Sequence, residues 1–358
     1  MKRVLFVSDA ASVHTRRWAE FFRDEGADVH VASFRPAKIE GVTVHLLASG
    51  RLGRLGYFLA IPRLRALARR LKPEVVHAQY VTSYGFLSAA AGLRPLVVTA
   101  WGTDVLISPK ESKLLRWLAR YAVRHADAVT TVAQHMNAAV SALGVPIESV
   151  SAVPFGVDTR HFVPPPVERS EEAPLRLICT RNFGPIYSVD TLVEALCLVR
   201  QRGLAVRVDL VGEGPLRQEL QAQVESRELA ASVTFHGQVD HVQLAQLLAE
   251  AHLFVTPALS DGNNVSLNEA MACASFPIAT DIPANAQWIQ HGVNGLLYPP
   301  GDAVRLADAI EQAAQDVGLR QRAAVLNRHI VETRADWRVC VAHMEETYQR
   351  AKAHAEQT

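Results

Sequence analysis

Residues 260–271 read Ser-Asp-Gly-Asn-Asn-Val-Ser-Leu-Asn-Glu-Ala-Met and follow an apolar run at Leu253 to Pro257. The stretch from about Val265 to Ala274 has the pattern of a helix, with Asn263 or Asn264 as its cap. Unpaired backbone N–H groups at a helix start, reinforced by the positive end of the dipole, favour an anion. Glu269 would sit about one turn in, where a carboxylate can accept two hydrogen bonds from a vicinal diol. Asp261 precedes the turn and could reach a group on the far side of the same anion. Phosphate flanked by hydroxyls at both ends describes a nucleotide sugar; a helix cap beside a solvated Glu describes the residues equally well.

Holding such groups requires strands that end where the loops begin. Short runs rich in Val, Leu and Ile recur at 4–8, 28–33, 42–47, 75–79, 96–101, 128–132 and 149–154, with amphipathic stretches such as Thr15 to Glu25 and Lys113 to His125 between them. This alternation predicts a parallel sheet covered on both faces. It breaks at 163–172, where Pro164, Pro165, Pro166, Glu168, Glu171 and Glu172 oppose a helix interior or a central strand. It resumes with runs at 175–180, 206–211, 232–236, 253–257, 277–280 and 295–298, then a helix over about 336–353. The expected fold class is α/β, with two tandem Rossmann-like, doubly wound domains and a cleft between the carboxyl ends of their sheets. The domains are expected at 1–165 and 166–335, with the C-terminal helix of about 336–358 packing back on the first.

The chain has 358 residues, 49% hydrophobic and 20% charged, which excludes disorder, collagen-like repeats and coiled coil. The net charge of +1 conceals +9 over residues 1–165 and −8 over 166–358. Four cysteines, Cys179, Cys197, Cys273 and Cys340, form neither a CxxC pair nor a metal-ligand pattern, so reduced thiols in a cytoplasmic protein are expected. The N-terminus lacks a signal-peptide apolar stretch, and no apolar run approaches the roughly 18 residues of a membrane span.

Asp261 and Glu269, with seven residues between them, are followed by Ala-Met-Ala-Cys, by Pro277 to Asp281 and by Gly292 to Leu297. With Val153 to Asp158, Val189 to Ala195 and Val211 to Arg217, this order resembles the retaining glycosyltransferases of family 4, which have the GT-B fold. The resemblance spans almost the whole chain. It implies that Glu269 binds the donor ribose, that Asp261, where the family usually has Glu, contacts the donor sugar, and that Gly262 and the N–H groups of Asn263, Asn264 and Val265 hold the distal phosphate. Gly212 would lie at the donor, and a uracil would be read by main chain near Gly237 to Val239. Arg181 matches the arginine that neutralises the leaving diphosphate, while Tyr187 stands where a lysine is usual. From the first domain, the resemblance brings Ser12, His14, Trp101 and Asp104 to the donor and acceptor. His14 and Asp104 join Arg181 and Asp261 as expected catalytic groups, and Ser12 and Trp101 face the acceptor. The indole of Trp101 can stack on a sugar but cannot act as a base.

The implied reaction is retaining, metal-independent transfer from a nucleoside-diphosphate sugar, expected to be UDP-linked, to a polysaccharide, glycolipid or small metabolite, with no cofactor. A sugar-nucleotide epimerase or hydrolase on the same fold, and a catalytically weak nucleotide-binding scaffold, are the alternatives. The segment 51–72 carries Arg51, Arg54, Arg63, Arg65, Arg69, Arg70 and Lys72 among apolar residues, and Lys113, Arg116, Arg120 and Arg124 form a second basic face. Such surfaces suit an anionic membrane or a lipid-linked acceptor at its inner face; a solvated helix face is the other reading. No recognition motif for nucleic acid accompanies the charge.

Overall fold

The computed structural model describes residues 1–47, 53–167, 169–170 and 174–357, and of residues 53–56 and 58 the backbone only. Arg51 and Leu52 of the basic segment, the side chains of Arg54, Leu55 and Phe58, and Glu168, Glu171 and Glu172 of the proline-rich segment lie outside the described residues. The chain forms two compact units: Met1–Phe155 with Val341–Thr358, and Gly156–Cys340.

The first unit is built on seven strands, β1 (Arg3–Val7), β2 (Asp28–Ser33), β3 (Thr43–Leu46), β4 (Val75–Gln79), β5 (Leu96–Ala100), β6 (Ala128–Thr131) and β7 (Val150–Ala152). They pair in the order β3-β2-β1-β4-β5-β6-β7, parallel throughout. β4 and β5 are buried along their whole length, and their Val-rich sequences are those of strands covered on both faces. The order reverses between β1 and β4, so the loops after these two strands diverge and leave room at their carboxyl ends.

The second unit repeats the plan with β8 (Leu175–Cys179), β9 (Val206–Val211), β10 (Val233–Gly237), β11 (Leu253–Thr256), β12 (Phe276–Thr280) and β13 (Leu296–Tyr298). Their order is β10-β9-β8-β11-β12-β13, again parallel, and the reversal falls between β8 and β11. The loops carrying Arg181 and Asp261 therefore leave neighbouring strands on either side of that reversal.

The change of unit lies at Phe155–Gly156, ahead of the proline-rich segment. Val157 bridges to Asp336, and Phe162 is buried in a core with Phe254, Leu267 and Met271, so residues 156–162 belong to the second unit. The helix Trp337–Gln357 contributes most of its length to the first unit. There the Tyr348 hydroxyl lies 2.8 Å from His77 Nδ1, while His77 Nε2 lies 2.6 Å from Thr99 Oγ1.

Burial pushes His77 down to about 3, so the folded ring stays neutral through mild acid. The unfolded chain takes up that proton below its ordinary value of about 6.5, so stability present above that pH is lost as pH falls towards 3. Between pH 7.5 and 5, linkage gives a loss of about 2 kcal/mol from this residue alone. Urea unfolding of wild type and His77→Gln at both pH values should show the smaller pH dependence in the variant; equal slopes would show that His77 does not carry the effect.

Candidate active site

In the second unit the site is assembled around Arg181, which follows β8 and is 8% exposed. Its Nε donates to Thr256 Oγ1 at the end of β11 (3.0 Å), and its guanidinium carbon stands 5.6 Å from the centroid of the Tyr187 ring. Its Nη2 approaches Asp261 Oδ2 to 2.9 Å, yet neither atom has an aligned hydrogen-bond partner among the described residues. An ion pair this buried is sensitive to geometry, because both groups have given up most of their water.

The loop bearing Asp261 is fixed from below by a chain of buried amides and hydroxyls. Asn264 caps the helix Val265–Ala272 by accepting the Leu267 N–H (3.1 Å), and its Nδ2 donates to Asn285 Oδ1 (2.9 Å). Asn285 in turn donates to the Thr280 carbonyl (2.9 Å), and Thr280 Oγ1 to the Ala258 carbonyl (2.6 Å). Asn264, Thr280 and Asn285 have no exposed surface, so each lost partner would leave a buried polar group unmet, at about 1–3 kcal/mol.

Glu269 is buried one turn into this helix, near Cys273, whose thiol is pushed up to about 12 by burial first and by the Glu269 charge second. Several other polar atoms on the same segments are buried without a hydrogen-bond partner: Thr180 Oγ1, Asn263 Oδ1, and both side-chain atoms of Asn268. Unmet polar atoms at the ends of β8 and β11 suit a polar ligand.

Four of the expected residues of this unit have partners within the protein. Gly212, at φ +148°, has no room for a side chain, since a Cβ would lie 2.3 Å from the Arg181 carbonyl oxygen. Gly214 is equally closed, its Cβ position 2.5 Å from the Phe183 carbonyl oxygen. These glycines let the loop after β9 press on the loop that carries Arg181, so Gly212 acts on the site through its neighbour. The Val265 N–H already donates to the Asn263 carbonyl (3.0 Å) and the Leu267 N–H to the cap, which removes two donors from any phosphate. Tyr187 lends its ring face to Arg181 and packs against the core, a different task from that of a missing cation. The Val239 side chain packs on the core after β10, and the Gly237 carbonyl accepts the Gly212 N–H (2.9 Å). Gly262 is partly exposed in the turn between Asp261 and the cap.

In the first unit, Ser12 caps the helix Val13–Asp24 by accepting the His14 N–H (3.2 Å), so its hydroxyl serves the backbone. The His14 ring stacks on Phe155 at 3.7 Å and meets Trp101 edge-on at 5.7 Å. Burial, then the charge of Arg17, pushes His14 down to about 4, so its ring is neutral at neutral pH. Trp101 Nε1 is buried without a hydrogen-bond partner among the described residues. Asp104 is corrected from a catalytic group to a clamp. It has no exposed surface, and its carboxylate accepts the N–H groups of Val81 (2.7 Å), Gly102 (2.8 Å) and Trp101 (3.1 Å), joining the loops after β4 and β5. Burial raises its carboxyl above the usual range, against the pull of those donors.

Sequence reasoning missed Thr256, Asn285, Gln79 and Phe155. Gln79, at the end of β4, accepts from Ser8 Oγ (2.8 Å) and Thr15 Oγ1 (3.1 Å) and so braces a loop that lacks glycines. A polar residue ending an apolar strand was the available signal for both Gln79 and Thr256. All four cysteines are free. Among the described residues, no helix is long and apolar enough to cross a membrane.

The chain matches the family described as Glycosyl transferase 4-like over residues 3–133 and that described as Glycosyl transferases group 1 over residues 174–316. It is 28% identical over 288 residues to the GDP-mannose-dependent alpha-(1-6)-phosphatidylinositol monomannoside mannosyltransferase of Mycobacterium tuberculosis, covering 74% of this chain and 73% of that protein. It is 23% identical over 300 residues to glycogen synthase of the same species, covering 81% and 72%. The crystal structure of Anabaena HepE in complex with UDP-glucose superimposes with a TM-score of 0.81 at 21% identity, covering 98% of this chain and 100% of that one. Its fold is therefore GT-B. The chain belongs to the GT4-like glycosyltransferase superfamily and is a glycosyltransferase.

Proposed function

We propose that the protein transfers a sugar from a nucleoside-diphosphate sugar, UDP-linked, to a polysaccharide, glycolipid or small-metabolite acceptor, with retention and without a metal ion. The observation that carries this reading is the Arg181–Asp261 pair at the β8–β11 reversal, beside the helix that bears Glu269. HepE, with UDP-glucose bound, has the same fold and supports the choice of donor.

Arg181 takes the diphosphate, Glu269 the ribose hydroxyls and Asp261 the sugar. The bond between the anomeric carbon and the phosphate oxygen breaks, and the acceptor oxygen bonds that carbon on the face the diphosphate leaves. The acceptor proton passes to the departing phosphate oxygen, so the site needs no strong base. The neutral His14 ring, with Trp101 and Phe155, is suited to contact the apolar face of a sugar acceptor. An epimerase or hydrolase would instead need a group poised for a sugar C–H or for water. The one expected carboxylate of the first unit, Asp104, is committed to backbone donors.

A membrane-borne acceptor suits the first unit, which presents a helix, Lys113–Arg124, that contains no acid. Leu114 and Trp117 are 62% and 54% exposed beside Lys113, Arg120 and Arg124. On the other basic segment, Arg63 and Arg65 are engaged with the carbonyls of Leu47, Ala90 and Ala91.

Arg181→Ala should lower turnover about 10²–10³-fold, the usual cost of losing one preorganised charge-stabilising donor, while EDTA leaves the wild-type rate unchanged. Loss of transfer in EDTA with a near-normal Arg181→Ala rate would refute the mechanism. Flotation should carry the protein with phosphatidylglycerol vesicles but not with phosphatidylcholine vesicles, and Trp117→Ser should reduce it; no flotation with either would remove the membrane reading.

A further inference from the structure

The contact between Arg181 and Asp261 places two groups with separate proposed tasks on each other. Arg181 cannot readily retreat from this contact. Its Nε is tied to Thr256 Oγ1, Tyr187 lies against its guanidinium, and the glycine loop after β9 presses on its own carbonyl. Asp261 is the more exposed partner, at 16% against 9% for the arginine side chain, and follows a loop residue, Leu259, that is itself exposed. The pair touches at 2.9 Å without hydrogen-bond alignment, so the contact leaves capacity unmet on both sides.

Resting on the donor reading above, we infer that Asp261 occupies the Arg181 guanidinium until a donor arrives, and that this competition makes the site favour an intact sugar nucleotide over the bare nucleoside diphosphate. A diphosphate oxygen reaching Arg181 Nη2 meets the Asp261 oxygen already beside it, and the two anions repel one another. A sugar nucleotide brings hydroxyls to which the released carboxylate can accept hydrogen bonds. A bare nucleoside diphosphate brings none, so the carboxylate is left in a partly dry pocket facing like charge. The penalty therefore falls mainly on the product, which should assist its departure.

The test is titration calorimetry of the full chain with UDP, UDP-glucose and inorganic pyrophosphate, on wild type, Asp261→Asn and Asp261→Ser, with melting curves to confirm folding. Removing the carboxylate should tighten UDP and pyrophosphate by about tenfold, in both variants, while UDP-glucose gains less or weakens. Binding of UDP by wild type with equal or weaker binding by both folded variants would overturn the inference and leave the donor reading intact. Equal tightening of UDP and UDP-glucose would overturn the discrimination. Wild type that binds none of the three ligands at millimolar concentration would remove the donor reading itself, and the inference with it.

Discussion

A buried guanidinium in an acidic half of the chain is the constraint on which the second unit depends. Arg181 is 8% exposed, and burying an arginine is costly unless its charge is paired. Thr256 meets one donor, the Tyr187 ring one face, and Asp261 the charge. Each of those three is itself fixed. Thr256 ends a buried strand, Tyr187 packs on the core, and the Asp261 loop rests on the Asn264, Asn285 and Thr280 network. Strand order does the rest, because a reversal between β8 and β11 is what brings these two loops to neighbouring positions.

The first unit fixes its loops by other means. Its loop after β1 has no glycine and holds its shape through Ser8, Thr15 and Gln79, whose polar atoms are buried and mutually bonded. Asp104 fastens the next two loops by accepting backbone donors. What these leave for a ligand is aromatic: His14, Trp101 and Phe155, with one unmet indole N–H. The charge division of +9 and −8 thus does not place the arginine proposed to bind the diphosphate in the basic half. Local desolvation and aligned donors outweigh a diffuse excess that solvent screens.

The strands were legible because parallel, doubly covered strands must be apolar along their length, and Val75 to Gln79 or Val206 to Val211 read that way at once. The helix start at Asn263 or Asn264, with Glu269 about one turn in, also followed from residue type and spacing. The partners of those residues did not. Nothing local distinguishes Asn285 or Thr280 from any other polar residue near a strand end, because Asn285 matters through Asn264, 21 residues away, and Thr280 through Asn285 and the Ala258 carbonyl. Asp104 and Gly212 show the opposite failure. Motif position suggested chemistry for both, while burial and the absence of space for a Cβ assign them to holding loops in place. The unit boundary moved to Phe155–Gly156 because Val157 and Phe162 have partners in the second unit, which proline and charge content alone do not register.

The account stands on Arg181 as the anchor of a donor diphosphate, with Asp261 giving way to it. A crystal structure of the protein with UDP tests that directly. The account predicts a diphosphate oxygen within hydrogen-bond distance of the Arg181 guanidinium, the ribose at Glu269 and the Asp261 carboxylate withdrawn from Nη2. Nucleotide ordered elsewhere, with the Arg181–Asp261 contact unbroken, would contradict it.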